Sequence, residues 1–200
     1  MEEVNIEQYL KEEEWTSLTF TASSSNVQMT RESFNIDNCC FQKIVMSNSK
    51  FFESTILDTS FENCDLSNIN FQKSYLGRVS FKNCKMIGAD FTDASLKEVT
   101  FINCDLTYSN YSNTTINKVF YTTCNLKEAY FIESNIKVIS FEQNEMEKTE
   151  FVHVNLKGVD FSTNTLINPR FDLPSLKKII LLPEQSYFLA QMLDVELKDY

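Results

Sequence analysis

The sequence predicts an all-β solenoid, and three observations carry the prediction. Stepping by five from Phe41 to Phe171 meets 27 consecutive positions, every one of them large and apolar. Cysteines recur at 64, 84, 104 and 124, a period of twenty. Gly and Pro supply only 3 residues each in a chain with 17 Phe and 8 Tyr, which excludes collagen-like or proline-rich disorder. A period of five matches neither the roughly 3.6-residue repeat of a helix nor the roughly two-residue repeat of a strand. It describes a chain that turns a corner every five residues and points the same side chains inward each time.

Two places before each large residue runs a second register of small or β-branched side chains, among them Cys64, Ser74, Val79, Ala89 and Thr114. The large positions alternate aromatic and aliphatic. A 20-residue coil therefore stacks Phe41, Phe61, Phe81, Phe101, Tyr121, Phe141 and Phe161 in one column. Phe51, Phe71, Phe91, Tyr111, Phe131, Phe151 and Phe171 form the opposite one. With about 4.8 Å between coils, nearly seven coils make a rod roughly 30 to 35 Å long. The four cysteines stack as well. Zinc needs tetrahedral convergence, which a straight file of sulfurs does not offer, so these residues read as small buried hydrophobes.

Stretches such as Cys64-Asp65-Leu66-Ser67-Asn68 and Ala89-Asp90-Phe91-Thr92-Asp93 resemble the pentapeptide-repeat family. That pattern is a small residue, Asp or Asn, Leu or Phe, then two variable positions, and the resemblance runs unbroken over residues 36 to 171. It implies a right-handed quadrilateral β-helix of about seven coils, followed here by a C-terminal α-helix.

The composition narrows the chemistry. The net charge is −10 and a single histidine is present. Acidity disfavours direct binding of a nucleic-acid backbone, and one histidine argues against a multi-histidine metal site or histidine catalysis. His153 and Cys40 both fall at outward registers. No Ser-His-Asp set, phosphate loop or spaced metal motif occurs, so neither an enzyme nor a cofactor is expected. The acidic start lacks the basic region of a signal peptide, and the longest aliphatic run is Ile179–Leu182, so the expected location is cytoplasmic with no membrane partner.

Three segments follow: residues 1–35 as an N-terminal cap and irregular first coil, 36–173 as the repeat rod, and 174–200 as a C-terminal capping or dimerisation helix and tail. Ile6, Tyr9 and Leu10 have helical spacing in the first of these. Half of the −10 lies in residues 1–35, leaving the rod polarised between faces. One face displays Glu53, Asp90, Asp93, Glu133 and Glu150 against Lys50, Lys73 and Arg170, and forms a candidate acidic partner-binding surface. The opposite face displays Arg78, Lys97, Lys118, Lys137 and Lys157 against Asp37, Asp58 and Glu98. After Pro183, the segment 184–195 reads as a helix that is apolar over most of its circumference. Tyr187, Phe188, Leu189, Met192 and Leu193 are its candidate homodimer interface.

An apolar C-terminal helix on an acidic repeat rod of this size is similar to the Qnr-type quinolone-resistance branch and related immunity proteins. The resemblance implies a DNA-mimicking protein that binds DNA gyrase or topoisomerase IV and protects it from poisons. The unbroken register departs from members whose coils carry long projecting loops. A scaffold or interaction module without a topoisomerase role is the other expectation the rod supports.

Overall fold

The structure, a computed structural model, describes residues 2–22, 25–196 and 198. It is a β-solenoid of about 8 turns with one short C-terminal helix. Phe41 lies beside Phe61, Phe61 beside Phe81, Phe81 beside Phe101, Phe101 beside Tyr121 and Tyr121 beside Phe141, always in parallel pairing. Each coil therefore holds twenty residues, as the cysteine period predicts.

The five-residue unit sets the burial. The large residue and the one two places before it are inside, while the residue two places after it is an exposed corner. Corners adopt positive φ, as at Lys43 (57°), Asn48 (61°), Glu53 (52°) and Asn63 (56°). Left-handed backbone is costly for residues other than Gly, Asn and Asp, yet only Gly88 and Gly158 use glycine at these corners. Inter-coil bonding offsets the strain. The Lys43 amide donates to the Glu62 carbonyl at 3.0 Å, and the Asn63 amide to the Lys82 carbonyl at 2.9 Å.

Both aromatic columns form. In the first, Phe41–Phe61, Phe81–Phe101 and Phe101–Tyr121 stack at 4.6, 5.0 and 4.9 Å between centroids. In the second, Phe91–Tyr111 and Tyr111–Phe131 stack at 5.0 and 4.6 Å. The columns meet edge-to-face, with Phe101 on Tyr111 at 81° and Tyr111 on Tyr121 at 86°. Both geometries are favoured by the ring quadrupole.

The N-terminal segment is more regular than its sequence predicts. Glu14–Thr16 and Leu18–Thr21 pair with Asn35–Asp37 and Cys40–Gln42, adding a coil to the seven. Its register runs 21 residues, Trp15 beside Ile36 and Phe20 beside Phe41, which hides it from a five-residue count. Where a short helix is predicted, a four-residue 3-10 turn stands at Ile6–Tyr9. Trp15 fills the core of this coil against Phe20, Phe34 and Phe41, and its indole N–H donates to the Tyr9 carbonyl at 3.1 Å.

Three corners of the rod depart from the rule: Val138, Thr163 and Leu173. Val138 stands where positive φ recurs but does not adopt it. β-Branching disfavours that conformation. Around Val138 the chain runs as an eight-residue strand, Asn135–Glu142, as it also does through the positive-φ corners Glu98 and Lys118 in Ser95–Ile102 and Thr115–Thr122, and the ladder carries an irregularity opposite it at Asn117–Val119.

The helix predicted for 184–195 is shorter. A 3-10 turn occupies Pro183–Ser186 and the α-helix runs only Tyr187–Met192. Asp194, at φ 55°, turns left-handed and ends it. No helix among the described residues is long and apolar enough to cross a membrane.

Candidate functional site

The corners arrange the charge. Glu53, Lys73, Asp93, Asn113, Glu133 and His153 occupy one corner of successive coils, all with positive φ. Glu53, Asp93 and Glu133 are exposed, whereas Asp90 and Glu150 lie on the adjoining side and are half-buried. The fold thus brings the five predicted acids to one edge, and it gives most of them partners. Lys73 Nζ lies 3.5 Å from Glu53, Arg170 Nη1 3.3 Å from Glu150, and His153 Nδ1 3.7 Å from Glu133. Asp90 accepts from Gln72 Nε2 at 2.5 Å and from the Thr92 hydroxyl at 2.6 Å. The edge alternates acid with base or amide every coil.

On the opposite face, Arg78 is bidentate to Asp58 at 2.6 Å, and Lys118 reaches Glu98 at 3.0 Å. These cations hold Asp58 and Glu98 below the usual carboxylate range. Lys97, Lys137 and Lys157 make no ion pair among the described residues.

The predicted dimer residues separate into two groups. Phe188 is 7% exposed and stacks on Phe171 at 5.6 Å, extending the second aromatic column. Leu189 and Met192 pack partly against the same core. Tyr187 and Leu193 are 58% and 57% exposed, and Leu173, at 61%, joins them. A cavity of about 510 Å³ opens between Leu173, Leu176, Leu182, Leu189 and Leu193. One end of the rod is therefore an apolar surface with a recess.

Inside the rod, the small register does more than the sequence reading assigned to it. Its side chains donate to the carbonyl 23 residues earlier: Ser74 to Phe51 at 2.6 Å, Thr114 to Phe91 at 2.8 Å, Ser134 to Tyr111 at 2.7 Å. The four stacked cysteines make the same bond as weak donors. Cys64, Cys84, Cys104 and Cys124 reach Phe41, Phe61, Phe81 and Phe101, each at 3.4 Å. The sharing of this register by Ser, Thr and Cys is the sequence signal for that role. Burial favours the neutral thiol at all four. No group of three or more His, Cys, Asp or Glu among the described residues is placed to hold a metal.

No curated protein matches the chain. Solved structures do. Full-length QnrB1, a plasmid-mediated fluoroquinolone resistance protein, is 20% identical over 91% of this chain and 90% of its own, with a TM-score of 0.39. HetL, a pentapeptide repeat protein involved in heterocyst differentiation regulation in the cyanobacterium Nostoc, is 12% identical over 84% of each chain, with a TM-score of 0.41. A pentapeptide repeat protein of the Arabidopsis thaliana thylakoid lumen is 25% identical over 66% of this chain and 71% of that one, with a TM-score of 0.35. The family profile described as the pentapeptide repeat region matches residues 34–102 and 94–171. With that match spanning more than half of its length, the chain belongs to the pentapeptide repeat family.

Proposed function

We propose that this protein is a non-enzymatic ligand of bacterial type II topoisomerase, DNA gyrase or topoisomerase IV, which occupies the DNA-binding surface and protects the enzyme from quinolones or similar poisons. The observation that carries the reading is the uninterrupted rod with Glu53, Asp93 and Glu133 repeating at one corner on alternate coils. Two coils separate them, about 9.6 Å at the usual strand spacing. Exposed ion pairs such as Lys73–Glu53 contribute about 0 to 1 kcal/mol. Their carboxylates can therefore exchange an intramolecular cation for a basic groove on a partner at little cost. The resemblance to the quinolone-resistance branch supports the choice of partner.

The active form in this reading is a two-fold homodimer through the apolar end. Leu173, Tyr187 and Leu193 are exposed there beside the recess, and Phe188 holds the helix in place from below. A closed two-fold contact covers both patches at once. It also doubles a rod of about 38 Å to about 75 Å, eight coils at about 4.8 Å each. The test is gyrase supercoiling in the presence of a quinolone. Added protein is expected to restore supercoiling in proportion to its concentration. Absence of both rescue and gyrase binding would sink the proposal.

A further inference from the structure

We propose that the stacked thiols of Cys104 and Cys124 form a two-coordinate site for a soft cation of the Cu(I), Ag(I) or Hg(II) class. The Asn125 amide donates to the Cys104 carbonyl at 3.0 Å, which fixes the two cysteines one coil apart in register. Both side chains point inward, roughly perpendicular to the sheet. Their sulfurs therefore face each other along the rod axis, about 4.8 Å apart. Two metal–sulfur bonds of about 2.3 Å laid end to end span about 4.6 Å. A straight file that cannot close a tetrahedron around zinc is thus the right length for one ion held linearly between two thiolates, and soft thiolate ligands select soft cations.

A recess in the surface lies beside this pair. A groove of about 340 Å³ at the corner is lined by Cys104 and Cys124 themselves, with Asp105 and Glu145 on its wall to draw cations in. With Hg(II), two S–H bonds break, two S–Hg bonds form and two protons leave through the groove. The product, RS–Hg–SR, is neutral, which suits a site whose thiols are each 2% exposed. Each thiol gives up only a weak 3.4 Å bond to a carbonyl, Phe81 or Phe101.

The experiment uses the full chain carrying Cys40→Ser and Cys84→Ser, which leaves Cys104 and Cys124 as the one stacked pair. Serine fits this register, because Ser74 and Ser134 already make the same bond in it. Titration with mercuric chloride is expected to load one ion per chain, with a thiolate-to-mercury absorption band, two protons released, and an unchanged far-ultraviolet spectrum. Adding Cys104→Ser or Cys124→Ser is expected to weaken uptake at least 100-fold, whereas Cys64→Ser leaves it intact. Uptake that survives Cys104→Ser, or that requires denaturant, overturns the site.

Discussion

The side-chain amide of Gln185 donates to the Phe161 carbonyl at 3.0 Å, completing a ladder that begins with Cys64 on Phe41 and passes through Asn144 on Tyr121 and Asn164 on Phe141. The rung comes from the cap, where the repeats have stopped. Gln185 also donates to the Asn164 carbonyl at 2.7 Å and accepts from the Leu182 amide at 2.8 Å, so one residue fastens the cap to the last coil. Gln185→Ala leaves the Phe161 carbonyl without this donor. The expected cost is about 1 to 3 kcal/mol, read as a lower thermal midpoint and faster amide exchange in residues 183–193. Unchanged exchange there would show that the apolar packing of Phe188, Leu189 and Met192 holds the cap without this residue.

Removing a ring from the middle of a column should cost more. Phe101 is fully buried, stacked between Phe81 and Tyr121, and meets Phe91 and Tyr111 by its edge. Phe101→Ala is expected to destabilise by about 3 to 5 kcal/mol. The terminal Phe188, 7% exposed with one ring contact among the described residues, should lose less on the same substitution. Chemical denaturation of the two variants compares them directly, and equal losses would contradict the packing account.

Two hydroxyls in the core predict the opposite sign. Among the described residues, the Tyr111 and Tyr121 hydroxyls are buried without a hydrogen-bond partner, as is that of Ser109. Burial holds both phenols far above their usual range, so they stay neutral. Tyr121→Phe removes an unsatisfied group while keeping the stacked ring, and stability should be unchanged or rise by about 1 kcal/mol. A clear loss of thermal midpoint would mean that the hydroxyl is bonded in solution.

Acid should weaken the rod through its inter-coil ion pairs. Hydrogen bonding from Arg78 depresses Asp58, from Lys118 depresses Glu98, and from Lys127 depresses Glu147. A depressed folded value means that the unfolded chain takes up protons first as the pH falls. The stabilisation is therefore present above about pH 4 and lost as the pH drops through the folded values. Thermal midpoints measured from about pH 6 down to about pH 2 should fall, and Arg78→Ala should make the decline shallower. A slope indifferent to Arg78 would place the acid sensitivity elsewhere.

Much of this was legible in the residues because a rigid period leaves few degrees of freedom. Phe41, Phe51 and their successors sit where the five-residue count puts them, and the twenty-residue recurrence of cysteine gives the coil. Trp15 and Phe20 escaped because a 21-residue register breaks the count while keeping the pairing. The helix after Pro183 was overlong because its apolar pattern does not reveal that Asp194 turns left-handed. The pairing of the acidic edge was recoverable, since Glu53 and Lys73, Glu133 and His153, and Glu150 and Arg170 each lie one coil apart. Charges grouped by face alone hide these one-coil partners.

The most direct measurement of the proposed role is the affinity of the purified protein for gyrase, compared with that of an Asp93→Lys, Glu133→Lys variant. Lysine is already accommodated at this corner, with positive φ, at Lys73, so the variant is expected to fold normally. The account predicts wild-type binding that weakens with salt and at least a tenfold loss in the variant at unchanged thermal midpoint. Equal binding by both proteins, or none by either, would contradict it.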